Sequence, residues 1–333
     1  MNCATGHPAI NSPASGDEPP VRSVSTQSAA VWSVGSVSDL CTVHGVHVAE
    51  YFSGAGMSVD FSRRPYLHPV RTLLGTPVTE VGPADHPHHY GVSLAIPDVN
   101  GTSYWGGRTF LPGHGSTMLT NHGQQRVISS TLSGQSLTQE LEWRDEKNRV
   151  QLTEFRVIAA SQLSEGVGWS LTWTSVLRAI MGPVTIGSPA TNGRPGAGYG
   201  GIFWRLPHRE STRLLSASGI GESAAHESDS PWLAINQDYG AQRIGLLLGQ
   251  PAATRTDWFV RSTEYVGAGP MLAAERTVTL APGAALTTSL RGILLDRHIE
   301  DAADAERLER AANSVSAPTT PMPTTPTEST ATA

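Results

Sequence analysis

Three of the chain's twelve histidines fall within four positions, in the run Asp85-His86-Pro87-His88-His89-Tyr90-Gly91. Imidazole exchanges a proton near neutral pH and also binds metal through a neutral nitrogen, so this density points to acid/base chemistry or to coordination. A single histidine in such a place would more often just hydrogen-bond a backbone carbonyl. Pro87 fixes its own φ, lacks an N–H and pushes His86 out of the α region, so the run is extended or turned rather than helical. Read as extended, it places His86 and His88 on one side and His89 on the other. Proton transfer is assigned to His86 and His88 with Glu80 as the carboxylate partner, and Glu154 and Glu264 are the alternative carboxylates. The second reading makes His86 and His88 ligands of a divalent metal, since His-X-His presents two rings to one side, with His68, His122 or Asp85 completing the sphere. There is no HExxH and no cysteine ligand set. GxSxG and P-loop motifs are absent too, so neither a nucleophile elbow nor a phosphate cradle is expected.

The surroundings of the run are polar beyond what a core requires. Between Arg64 and Arg126 lie His68, Arg71, Tyr104-Trp105, His114 and His122, in loops rich in glycine that let backbone approach a ligand closely. A second patch, Gly198-Tyr199-Gly200-Gly201-Ile202-Phe203-Trp204-Arg205, has the same character, although Phe203 and Trp204 suit a core equally well. Aromatic faces stack on the C–H faces of sugars while Arg and His bracket hydroxyls, so His68, Arg71, His89, Trp105, His122, Tyr199 and Arg205 are expected to hold a small sugar-like molecule. No cofactor is required by the sequence beyond that optional divalent metal.

Such a site needs a rigid support, and the chain reads as strands. Val92 to Ile96 follows the histidine run directly and would carry it at a strand mouth. Leu137 to Trp143 alternates apolar with polar, Asp145-Glu146-Lys147-Asn148 is a turn, and Arg149 to Val157 returns as the partner strand. Trp169 and Trp173 on one face of the next strand are core residues. Arg243 to Leu248, Trp258 to Val260, Arg276 to Leu280 and Leu286 to Leu295 supply more strands, the last two joined as antiparallel neighbours across Ala281-Pro282-Gly283. One helix is expected, over Ile299 to Asn313, which is rich in Ala and Leu and free of Gly and Pro. These elements predict an all-β fold, a large antiparallel β-sandwich with one C-terminal helix.

Composition agrees: 16% of residues are charged, with 34 Gly and 23 Pro. A net charge of -6 without a Lys/Arg block argues against nucleic acid or an anionic membrane surface as partner. No apolar run approaches the ~18 residues of a membrane helix, no signal peptide is evident, and Cys3 and Cys41 cannot staple the body, so a cytoplasmic location is expected. Residues 1–35 read as a disordered leader, 36–313 as a single domain and 314–333 as a disordered Thr/Pro tail.

Taken together, Arg64-Pro65-Tyr66-Leu67-His68-Pro69, the histidine run, Asn100-Gly101 to Trp105, Gly200-Gly201-Ile202-Phe203-Trp204-Arg205 and Trp258-Phe259-Val260-Arg261 resemble the soluble bacterial "methane oxygenase PmoA" family. The likeness runs over roughly residues 40 to 300, and the histidine run is its most specific part. It implies a galactose-mutarotase-like supersandwich and a place in sugar catabolism. The family label is not taken as an activity, because methane monooxygenase subunits are membrane-embedded and this chain has no segment able to span a bilayer.

Overall fold

A computed structural model describes Met1 and residues 30–36, 38–163 and 168–314. Two antiparallel sheets pack face to face. The smaller has eight strands in the order Ala30–Val34, Asp39–Val43, Val46–Phe52, Tyr66–Val70, Val92–Ala95, Gly201–Leu206, Val266–Pro270, Trp258–Arg261. The larger has nine, in the order Gly219–Ile220, Ser211–Ser216, Trp232–Tyr239, Gln242–Gly249, Ala285–Leu295, Gly168–Ala179, Val150–Gln162, Ser136–Arg144, Gln124–Ser133. The β-sandwich is thus the fold that alternation predicts.

Side-chain alternation decides what lies between the sheets and what lies outside. Ile202, Trp204 and Leu206 share the interior with Val260, Val266 and Ala268 of the same sheet and with Trp169, Leu171, Trp173 and Leu290 of the other. Their neighbours Phe203, Arg205 and Phe259 must point the opposite way, onto the outer face of the eight-stranded sheet. There a separate apolar cluster forms from Ala95, Trp105, Phe203, Phe259, Tyr265 and Met271. The interior also holds a polar knot. Arg156 pairs with Glu154 at 2.7 Å, both fully buried, and Glu154 further accepts from Trp143 Nε1 at 2.8 Å and from Ser175.

The helix forms at Ala302–Ser314, starting three residues later than expected because Asp301 caps it, its carboxylate accepting from the Asp304 N–H at 2.8 Å. Ala305, Leu308 and Ala312 seal the outer face of the larger sheet against Trp232, Leu247 and Ile293. The predicted hairpin is present, with Ser136–Arg144 paired to Val150–Gln162 around the Asp145 turn.

Two expectations change. Ala30–Val34, assigned to the leader, is an edge strand paired with Asp39–Val43, and it is held because Ala30 and Trp32 are buried. Residues 2–29 of the leader and residues 315–333 lie outside the described residues. The strands flanking Ala281-Pro282-Gly283 are not neighbours. Val278–Leu280 joins Val184–Gly187 and Asp98–Val99 in a small sheet, and the turn hands the chain over to the nine-stranded one. Cys41 is a buried free thiol. Among the described residues no helix is long and apolar enough to cross a membrane.

Candidate functional site

The histidine run is a double turn rather than an extended segment. His86 N–H donates to Pro83 O at 3.0 Å and His89 N–H to His86 O at 2.9 Å, while Val81 and Tyr90 pair across the base. Curling the chain on both sides of Pro87 defeats the two-sided arrangement expected of a strand. All three imidazoles gather instead: His86 stacks on His89 at 4.6 Å between centroids, and His88 lies 4.8 Å from His89 and 5.8 Å from His86.

The cluster sits on the outer face of the eight-stranded sheet, not at the mouth between the sheets. His89 is buried against the edges of Phe203 (5.3 Å), Tyr265 (5.3 Å) and Trp105 (5.6 Å), and its Nδ1 has no hydrogen-bond partner among the described residues. Burial, reinforced by the nearby His88, His86, Arg205 and Arg64, holds its pKa well below the ordinary imidazole value. Burial and Arg64 likewise push His88 down to about 3, so this imidazole is neutral at any physiological pH. Gly107 backs it directly. A Cβ there would lie 2.7 Å from His88 Nδ1, and φ is +70°, so glycine is required on both counts.

His86 is placed differently. Its Nδ1 lies 2.8 Å from Asp85 Oδ2, and because an ionised carboxylate only accepts, the proton is on Nδ1 and Nε2 is left as a free base. Burial raises the Asp85 pKa, but the His86 hydrogen bond and the Arg205 charge outweigh it and leave the carboxyl below its usual range. Arg205 lies 3.5 Å from Asp85 and 3.0 Å from Glu80, with its guanidinium 4.8 Å from the Tyr265 ring centre.

A cleft of about 440 Å³ opens over this cluster. His86, His88 and His89 form one side, and Trp105, Tyr199, Phe259 and Tyr265 form an aromatic wall. Asp85, Arg108, Arg194, Arg261 and Glu264 supply the charges of its lining. Beneath it lies a buried cation: the Arg64 guanidinium donates to the carbonyls of Phe61 (2.7 Å), Ser62 (3.1 Å), Trp105 (3.1 Å) and His88 (2.8 Å) and to Ser93 Oγ (3.1 Å). Among the described residues no carboxylate pairs with it, and burial lowers its pKa to about 10, so it stays protonated.

Of the residues expected from sequence, His86, His88, His89, Trp105 and Tyr199 line the cleft. Arg205 lies just behind it, tied to Asp85. Glu80, expected as the catalytic carboxylate, is instead the ion-pair partner of Arg205, and Asp85 is the acid that meets the histidines. Glu154 is locked in the core with Arg156, and Glu264 reaches the cleft rim. His122 donates its Nε2–H to Gly107 O (2.8 Å) and faces a smaller recess with Asp145 and Glu146. His68 turns to Thr79 Oγ1 at 3.0 Å, and Arg71 bonds Gly75 O; neither lines the cleft. His114 bonds Pro112 O in an exposed hairpin. Sequence reasoning passed over Arg194 and Tyr265 altogether. Phe259 and Arg261 had a usable signal, since they alternate with the core residues Trp258 and Val260; Arg194 and Tyr265 had none.

The metal reading loses its geometry. Among the described residues no three His, Cys, Asp or Glu side chains are arranged to hold an ion, and His86 Nδ1 already faces Asp85. A family model described as "Family of unknown function (DUF6807)" matches residues 40–312. No curated protein matches the chain.

Proposed function

As the chain belongs to this DUF6807 family, whose description assigns no activity, we propose a function from the cleft itself: His86, oriented by Asp85, moves a proton on a sugar or oxidised sugar held against the aromatic wall. The observation that carries this reading is the 2.8 Å contact between His86 Nδ1 and Asp85 Oδ2, which fixes the tautomer and leaves Nε2 as the base of the pair. Arg205 supports the dyad by holding Asp85 ionised. His88 and His89, both kept neutral, serve as hydrogen-bonding walls rather than proton carriers. Trp105, Tyr199 and Tyr265 offer faces for the C–H side of a ring.

The likeness to the "methane oxygenase PmoA" family and its implied mutarotase-like sugar chemistry point the same way, and the substrate would then be drawn from a cytoplasmic pool of sugars. A general base in position typically contributes about 10²–10⁴-fold to rate. The test is incubation of the chain with a panel of sugars and keto-sugars in deuterated water, with NMR following exchange and product. His86→Gln and Asp85→Asn are each expected to lower the rate by about 10²-fold or more while ligand binding persists. Exchange at the wild-type rate in His86→Gln would overturn the proposal. Saturable binding with no exchange by the wild-type chain would make this a sugar-binding module instead.

A further inference from the structure

The net charge of the chain is -6, yet the cleft is built from the opposite sign. Arg108, Arg194 and Arg261 face it against Asp85 and Glu264; Asp85 is already engaged by His86 and Arg205, and Arg261 lies 3.8 Å from Glu222, so Arg108 and Arg194 are the cations without a carboxylate partner among the described residues. Directly behind, Arg205 is offset by Glu80 and Asp85, whereas Arg64 has no carboxylate partner among the described residues. The Arg194 side chain is exposed and makes no hydrogen bond or ion pair among the described residues, although its charge is close enough to Tyr199 to act on that phenol. Arg108 gives one nitrogen to Ser116 O at 3.2 Å and keeps the rest of its fork open. His89, 3% exposed, sets an unpartnered Nδ1 among the lining groups. Free guanidinium forks beside a neutral imidazole cluster are unfilled donors, and guanidinium pairs bidentately with carboxylate.

We propose that the ligand of this cleft is a sugar acid, its carboxylate held at the rim by Arg194 and Arg108 and its ring lying on Trp105, Tyr199 and Tyr265. This rests on the sugar reading above and adds the charge that the substrate must carry. The volume of about 440 Å³ is near the lower end of small-ligand sites and suits one or two sugar rings. A carboxylate fits better than a phosphate, because neither helix start among the described residues, at Glu222 or at Ala302, lines the cleft, and helix starts are what phosphate sites use. A low-dielectric wall also strengthens the attraction, which falls with added salt.

The experiment is calorimetric titration of the full chain with matched pairs, namely glucose and glucuronate, galactose and galacturonate, mannose and mannuronate, together with glucose 6-phosphate. At least one acid is expected to bind about tenfold or more tightly than its neutral partner, and R194Q and R108Q each to lower that affinity by about tenfold. Arg194 is exposed and unbonded, so R194Q should keep the wild-type circular dichroism, which serves as the folding control. No preference for any acid, or a preference that survives both substitutions, would overturn the inference. So would tighter binding of the sugar phosphate. Failure of the proton-transfer reading looks different: uronates would still bind through Arg194 but would exchange no solvent hydrogen.

Discussion

His88 makes the native state sensitive to mild acid, and the size of the effect follows from its surroundings. A free imidazole takes up a proton near pH 6.5, whereas in the fold His88 does so only near about 3, chiefly because it is buried and also because Arg64 lies against its turn. Between those values the unfolded chain binds a proton that the folded chain refuses. The stability is therefore fully present above about pH 6.5, falls as pH drops through the window, and levels off below about pH 3. At about pH 4.5 the unfolded residue is some two units past its titration point, and at about 1.36 kcal/mol per unit this one side chain removes roughly 2–3 kcal/mol. That is a large part of the ~5–15 kcal/mol stability typical of a domain. His89 is depressed in the same direction and adds to the loss. The assay is urea unfolding followed by tryptophan fluorescence at about pH 7 and about pH 4.5, for the wild-type chain and for His88→Gln. Carboxylates titrate alike in both proteins, so the difference between the two pH dependences isolates His88. Parallel loss of stability in wild type and variant would refute the reasoning, because it would mean that the imidazole is as readily protonated in the fold as outside it.

Two further outcomes are expected. Gly267→Ala would put a Cβ 2.4 Å from Phe203 Cζ, the ring beneath His89 and Trp105. The shift should cost about 1–3 kcal/mol in thermal unfolding and weaken ligand binding together, and loss of stability with unchanged affinity would show that Phe203 does not floor the site. Glu154→Gln should lower stability by about 3–5 kcal/mol in denaturant titration, since it leaves Arg156 buried without its charge partner, yet the folded fraction should turn over normally. A fall in turnover beyond the unfolded fraction would return Glu154 to the catalytic chemistry.

What was legible in the sequence was whatever depended on local spacing. Period-2 alternation marked the strands, put Trp169 and Trp173 in the core, and located the hairpin at Asp145. The density of imidazoles located the site. Its geometry was not legible, because a strand-like reading of the run ignored the two turns that Pro87 permits, and those turns bring the three rings together. Glu80 was the expected carboxylate, whereas the one against His86 in space is Asp85, directly before it in the chain, which sequence had offered only as a metal ligand. His68 lies in the strand Tyr66–Val70 and Arg71 directly after it, and they turn to Thr79 and Gly75 rather than to the cleft. Arg194 and Tyr265 could not be found at all from spacing. Antiparallel pairing sets Phe203 beside Ser93 and Arg205 beside Gly267, so the cleft is closed by segments more than sixty residues apart in the chain.

The two arginines behind the cleft explain why the three histidines do not behave alike. Arg205 has its charge offset by Glu80 and Asp85, so the His86 end of the cluster is lined by carboxylates as well as by a cation. Arg64 has no such partner, and a buried cation is tolerated only where its donors are satisfied. Its hydrogen bonds go to carbonyls of the Phe61-Ser62 turn, the Trp105 loop and the histidine turn, and so it clamps together the segments that carry the wall and the imidazoles. A lysine, with three donors on a point charge, could not span them. The same uncompensated charge opposes protonation of His88 and His89 and leaves a positive potential for the cleft to use. His86 is thus the one histidine of the cluster with a carboxylate against its ring, while burial and the uncompensated Arg64 keep its two neighbours neutral at the cleft.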